Sequence, residues 1–240
     1  MIYYTTNNIK YFDEELIQEA IEYMRPLWPE EACGVFSEGR FIPFENRAED
    51  PKKNYIIDSI KFSSLLVDDK IDCIIHSHDN CPRLSYSDMQ TQEEIGVPHG
   101  VINFKKRSVT HVIFWGEELP MAPLLGRPFF WGVSDCLTLV RDYYKINYNI
   151  ELPNPLREWG FWKKGITMFE DGLEEADYLV RVEPKQAKEG DLLFFGNETI
   201  NHCGILLKRG LTLQQFVGRL SAEYPIKHNI DKLKKVYRVK

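Results

Sequence analysis

The chain has 240 residues, of which 43% are hydrophobic and 28% charged. That is a globular composition, enough for one large or two small domains, and it excludes a disordered tail, a collagen-like chain or a coiled-coil rod. The net charge of −6, from 30 basic and 36 acidic side chains, favours solubility and argues against a broad nucleic-acid-binding surface.

In chain order, Asp13 is a plausible N-cap, and Leu16, Ile17, Ala20, Ile21 and Met24 follow at helical spacing until Pro26 and Pro29 end the pattern. Ala32–Phe36 and Arg40–Phe44 read as two short strands around a Glu38-Gly39 turn, and Ile71–His76 as a buried strand. Ser85–Ile95 reads as a helix, followed by strands at Gly100–Phe104 and His111–Trp115. Three prolines and a glycine within Glu117–Pro128 mark a composition shift. The expected division is therefore residues 1–118, a linker at 119–128, and residues 129–240. Beyond the linker, Ser134-Asp135-Cys136 opens a helix whose buried stripe is Leu137, Val140 and Tyr144. Asp191–Phe195, Cys203–Leu207 and Leu211–Val217 then read as an antiparallel meander, so the fold class is α+β, with two mixed α/β domains.

No apolar run approaches the roughly 20 residues of a membrane span, so no transmembrane segment is expected. Met1-Ile2-Tyr3-Tyr4-Thr5 lacks the basic-then-apolar build of a secretory signal. Cys33, Cys73, Cys81, Cys136 and Cys203 are odd in number and widely spread, and are expected to be reduced intracellular thiols.

Two groups of residues carry chemistry. In His76-Ser77-His78, at the end of a strand, the alternation of side chains sends both imidazoles to one side. Ser85 with Asp88 three residues on resembles a capping box, which places Asp88 in the first helical turn. Two histidines and a carboxylate with an open fourth position have the composition of a catalytic zinc site, where zinc lowers the pKa of a bound water toward ~7. Glu31 is the candidate for moving the proton. Singly these residues are ordinary; their order is the specific signal. That order resembles the JAMM (Mov34/MPN/PAD-1) metallopeptidase domain over about residues 10–115. The resemblance implies His76, His78 and Asp88 as zinc ligands, Glu31 as base and Ser85 as the hydroxyl that steadies the tetrahedral intermediate. Here six residues separate His78 from Ser85, where seven are usual, and Asp79 stands where proline is common.

In the second group, Cys136 at a helix N-terminus gains thiolate stability from the helix dipole, while Asp135 opposes it by like charge. His202 opens a strand behind it, which makes a nucleophile–base pair that needs an orienting polar group. Gln214 and Gln215 on the next strand can supply one. Gly132–Tyr144 and Asn201-His202-Cys203-Gly204-Ile205 are similar to the nucleophile helix and the His-x-Gly/Ala-Ile strand of the NlpC/p60 cysteine peptidases. The resemblance implies a papain-like domain with Cys136 as nucleophile, His202 as base and Gln214 as the third residue, Gln215 being the weaker choice. It also implies cleavage of peptidoglycan stem peptides.

A JAMM domain followed by an NlpC/p60 domain looks like the tail tip assembly proteins of long, non-contractile-tailed phages. Gly126-Arg127-Pro128-Phe129, Leu152-Pro153 before Trp159-Gly160-Phe161-Trp162, and Gly218-Arg219-Leu220-Ser221 carry that likeness. Relatives of this type often have two histidines where this chain has Gln214-Gln215. The resemblance implies phage tail tip proteins and peptidoglycan or another peptide as partners, a Zn2+ cofactor, and a place in the host cytoplasm during assembly or at the virion tail tip. The alternative reading is a structural assembly factor whose catalytic sites are vestigial or dispensable.

Overall fold

A computed structural model of the chain describes residues 11–81, 83–116, 119–169 and 178–240. The opening Met1–Thr5, Pro82 in the loop before the second site motif, and Glu117-Glu118 of the composition shift lie outside the described residues. The chain divides into two compact units, Met1–Pro120 and Met121–Lys240.

In the first unit, α1 (Glu14–Met24) starts after Asp13 with Glu14 and Glu15 in its first turn, where acidic charge suits the helix dipole. It buries Ile17, Ala20, Ile21 and Met24. The strands β1 (Cys33–Ser37) and β2 (Arg40–Phe44) form a hairpin whose turn residues, Glu38 and Gly39, both have positive φ, as a tight two-residue hairpin loop requires. Next come α2 (Ile60–Val67), β3 (Cys73–Asp79), α3 (Tyr86–Ile95), β4 (His99–Lys105) and β5 (Ser108–Trp115). The sheet order is β2-β1-β3-β4-β5. All neighbours are antiparallel except β3 and β4, which are parallel and joined through α3, since a parallel pair needs a crossover. Alternation divides the core. Phe36, Ile75, Ile102 and Phe114 pack with α1 on one face, while Val35 and Ile74 pack with Phe62, Leu65, Leu66 and Ile95 from α2 and α3 on the other. Period two places His76 and His78 on the face of Ile74, toward α3.

In the second unit, α4 (Cys136–Tyr148) packs Leu137, Val140 and Tyr144 with Phe194, Cys203, Ile205 and Leu213 of a six-stranded sheet. Its strands are β6 (Leu179–Val182), β7 (Leu192–Gly196), β8 (Ile200–Leu206), β9 (Leu211–Gln214), β10 (Ala222–Pro225) and β11 (Leu233–Val239). Their order is β10-β9-β8-β7-β11-β6, antiparallel throughout. The expected three-strand meander is the middle of this sheet; β6, β10 and β11 extend it. The strand expected to run to Val217 ends at Gln214.

The later part of the proline-rich stretch is built into this unit. The Arg127 side chain is 2% exposed and donates to the carbonyls of Ala122 and Pro123 and to Asp142. The Arg127 amide donates to Ser221 Oγ at 2.8 Å, and Ser221 Oγ donates to Leu124 O at 2.8 Å. Two sequence stretches nearly a hundred residues apart thus close on one another. Among the described residues, no helix is long and apolar enough to cross a membrane.

Candidate active sites

In the N-terminal unit, β3 is the central strand of the sheet. Register sets His76 opposite Cys33 of β1 and His78 beside Asn103 of β4. Ser77, between them, faces the other way, and its hydroxyl accepts the Ala32 amide at 2.9 Å. The Ser77 amide donates to Ala32 O at 2.9 Å. These bonds fix the residue next to Glu31, whose own carbonyl accepts Asn46 Nδ2 at 2.7 Å. Across the site, Ser85 caps α3. Its Oγ accepts the Asp88 amide at 3.0 Å, and the Asp88 carboxylate accepts the Ser85 amide at 2.7 Å. The exposed Ser85 hydroxyl also pairs with Ser87 Oγ at 2.9 Å. The capping box therefore aims Asp88 at the histidines.

The three expected ligands converge. His76 Nε2 lies 3.0 Å from His78 Nε2, the Asp88 oxygens lie 3.3 and 3.4 Å from those two nitrogens, and all three residues are buried. Zinc bonds of 2.0–2.1 Å in tetrahedral array place ligand atoms about 3.3–3.4 Å apart. The donor set and its spacing thus fit such an ion. Glu31 Oε1 stands 3.7 Å from His78 Nε2, beyond hydrogen-bond length, so it lies beside the triad and not in it. Burial pushes the Glu31 carboxyl up to about 7, against the opposing pull of His78 and with help from Asp88. Asp79, in the proline's place, accepts the Trp28 indole N–H at 2.7 Å and ties the end of β3 down.

In the C-terminal unit, Cys136 is the first residue of α4, and Asp135 is its N-cap. The like charge of Asp135 is compensated. The side chain is 0% exposed and accepts the amides of Gly132, Leu137 and Thr138. Arg157, 1% exposed, donates to both of its oxygens at 2.7 and 3.1 Å. Burial would raise the Asp135 carboxyl, but Arg157 holds it below the usual range. Sequence reasoning missed Arg157, which follows Cys136 by 21 residues with no local signal. The nearby aromatic segment packs around Trp131, with the Trp159 ring edge-on at 5.1 Å.

The Cys136 thiol is buried, and the side chains of Cys203 first and His202 next act on it to lower its pKa to about 5 against the effect of burial, while burial raises the Cys203 thiol well above its ordinary range. His202 Nε2 lies 2.8 Å from Gln214 Oε1. The polarity of that contact follows from a chain of bonds. Tyr224 O can only accept, and Thr212 Oγ1 donates to it at 2.9 Å. Thr212 must then accept from Gln214 Nε2, which turns Gln214 Oε1 toward His202 and toward Asn229 Nδ2, 2.9 Å away. His202 therefore carries its proton on Nε2 and leaves Nδ1 free to accept one. The imidazole also stacks on Phe216, with centroids 4.7 Å apart. Gln215 faces elsewhere. It donates to Arg127 O, Pro128 O and Ser134 Oγ, and so holds the segment that leads to Cys136. Neither Thr212 nor Asn229 was evident in the sequence.

Gly204 makes room for this arrangement. It pairs with Gln214 across β8 and β9, and a Cβ there would meet Gln214 Cγ at 2.7 Å and Leu213 O at 2.8 Å. Gly204→Val is expected to push Gln214 off His202 and slow alkylation of Cys136 by iodoacetamide at neutral pH about 5–10-fold, the worth of one or two hydrogen bonds. Peptide mapping of the labelled chain measures this; an unchanged rate would show that Gln214 does not set the imidazole.

Residues 126–236 match the NlpC/P60 family, which defines the class of the C-terminal unit. Solved structures of low similarity include that of the NlpC/p60 domain of the peptidoglycan hydrolase SagA. That chain is 19% identical, with a TM-score of 0.33 over 49% of this chain and 89% of that one. Another is RipD from Mycobacterium tuberculosis, described as a non-catalytic NlpC/p60 domain protein. It is 21% identical, with a TM-score of 0.31 over 45% of this chain and 67% of that one. The chain as a whole belongs to the tail tip assembly protein K family. It is 34% identical to tail tip assembly protein K of Escherichia phage lambda over 160 residues, covering 63% of this chain and 73% of that protein. It is 26% identical to the protein of the same name from Escherichia phage N15 over 225 residues, covering 90% of this chain and 88% of that protein.

Proposed function

We propose that this tail tip assembly protein carries two hydrolytic centres, and that the C-terminal one is a thiol endopeptidase acting on peptidoglycan stem peptides. The observation that carries this reading is the fixed polarity of Thr212, Gln214 and His202, which leaves an imidazole acceptor beside the Cys136 thiol. In the reaction, His202 takes the thiol proton and Cys136 Sγ attacks the peptide carbonyl carbon. The Cys136 amide, first in the helix, is the natural donor to the oxygen that becomes negative. His202 then returns its proton to the departing amine, leaving a thioester that a water, deprotonated by the same imidazole, hydrolyses. Gln214 holds the ring throughout but carries no charge of its own. Purified peptidoglycan is the substrate that tests this. Digestion is expected to stop after iodoacetamide treatment and to continue in the presence of a chelator; no release of soluble peptide would contradict it.

For the N-terminal unit we propose a JAMM-like zinc metallopeptidase. His76, His78 and Asp88 would hold the ion, which when bound supplies a Lewis acid and a water of lowered pKa. Glu31, buried beside the three residues with its carboxylate 3.7 Å from His78 Nε2, is placed to take and return a proton at that site. The Ser85 hydroxyl is the proposed donor to the developing oxyanion. The purified protein is expected to hold about one equivalent of zinc. His78→Ala should lose it and Glu31→Gln should retain it, as elemental analysis after chelator-free purification would read. Loss of zinc from Glu31→Gln would make Glu31 a ligand and overturn its role. The proposed partners are other tail tip proteins, met in the host cytoplasm during assembly or at the virion tail tip.

A further inference from the structure

A cavity of about 630 Å3 adjoins the histidine–aspartate site, with Glu31 and Asp88 among its lining residues. The volume falls in the ~300–1,000 Å3 range of small-ligand sites. Its walls are mainly apolar, formed by Tyr55, Ile56, Ile57, Phe62, Ile74 and Ile95. The Tyr55 ring stacks on His76 with centroids 4.5 Å apart, so the wall is continuous with an expected ligand. Ile56 is 53% exposed, and a bound apolar group would remove that surface from water. Of the charged lining residues, Lys53 is the single cation, and Asp50 holds it at 2.7 Å; Glu31, Glu49 and Asp88 are acidic. A carboxylate turned into the apolar wall formed by Tyr55, Ile56, Ile57, Phe62, Ile74 and Ile95 would thus be desolvated with no cationic side chain among those residues to receive it.

We propose that this cavity is a subsite for large, uncharged apolar side chains of a peptide, and that the N-terminal centre therefore acts on a protein segment and not on carboxylate-rich peptidoglycan stem peptides. The proposal rests on the metallopeptidase reading of that centre. It divides the labour of the chain: the thiol centre addresses the cell wall, and the metal centre addresses an apolar stretch of polypeptide.

The test uses the intact, isotope-labelled chain in the presence of a chelator, so that binding is read without turnover. The probes are acetyl-Ala-Ala-Phe-Ala-Ala-amide and the same peptide with glycine or aspartate at the centre. NMR titration, followed at the amides of Ile56 and Ile57, is expected to show the phenylalanine peptide binding about 10-fold more tightly than the glycine peptide. The aspartate peptide should bind no better than the glycine one. Thr91 lines the cavity one turn beyond Asp88 on α3. Thr91→Trp should fill the space and abolish the preference for phenylalanine. Ile57→Ser, on an irregular segment, should weaken phenylalanine binding without disturbing a helix. Equal affinity for the three peptides, or an undiminished preference in both variants, would overturn the subsite. Zinc uptake measured on the same preparations separates the two readings. Zinc uptake without phenylalanine selectivity overturns the subsite and leaves the metallopeptidase; selectivity without zinc uptake supports the subsite and removes the metallopeptidase.

Discussion

Arg157→Met is expected to cost the C-terminal unit about 3–5 kcal/mol, the usual penalty for leaving a buried charge without its partner. Asp135 is fully buried beneath Cys136, and Arg157 donates to both of its oxygens. Removing the guanidinium leaves the backbone amides of Gly132, Leu137 and Thr138, which cap the carboxylate but carry no full charge. Urea denaturation followed by fluorescence would read the loss. The companion Asp135→Asn/Arg157→Met double variant should recover a large part of it, because the unpaired charge is gone and asparagine also caps helices. A loss below about 1 kcal/mol in the single variant would place the ion pair among those that contribute little. The pair also bears on reactivity: an uncompensated carboxylate next to Cys136 would raise the thiol pKa, so Arg157→Met should slow Cys136 labelling in whatever fraction stays folded.

His202→Ala is expected to reduce thiol-dependent hydrolysis by about 10²–10⁴-fold, the range for losing a positioned general base. The same change should slow alkylation of Cys136 selectively. In the intact chain the thiol pKa is lowered, so labelling should already be fast at neutral pH and change little as pH rises through ~8.5, where an ordinary thiol accelerates. Without His202 the profile should move toward the ordinary one. It should not become fully ordinary, since the influence of Cys203 and the helix N-terminus remain. Labelling led by Cys81, which is half-buried in the loop after β3, would count against an activated Cys136.

The sequence exposed those parts of the fold whose patterns are local. The stripe of α1 and the alternation that sends His76 and His78 to one face depend only on helix and strand periods. The Ser85–Asp88 capping box likewise spans only four residues and appears as expected. Helix α2 escaped because Ile60 and Val67, 89% and 84% exposed, spread its apolar residues beyond the Phe62, Leu65 and Leu66 face that packs on the sheet. Strands β6 and β11 escaped for a related reason: LVRV and LKKVYRV mix basic and apolar residues, and their pairing is decided by partners far along the chain. At the thiol centre, the residues themselves suggested Cys136, His202 and one of Gln214 and Gln215, and the resemblance to the NlpC/p60 peptidases implied Gln214, but the donor chain through Thr212 and Asn229 depends on the meeting of β8, β9 and the segment after β10. No period in a one-dimensional sequence encodes that meeting. Arg157 is the clearest case, since its role exists only once the chain returns to the start of α4.

The most direct test of the central claim is digestion of purified peptidoglycan by the intact protein, with Cys136→Ala and His76→Ala chains run beside it and released peptides quantified by mass spectrometry. Release is expected from the unaltered chain and from His76→Ala, and none from Cys136→Ala. Equal release by Cys136→Ala, or loss of release in His76→Ala, would contradict a cell-wall hydrolase centred on Cys136.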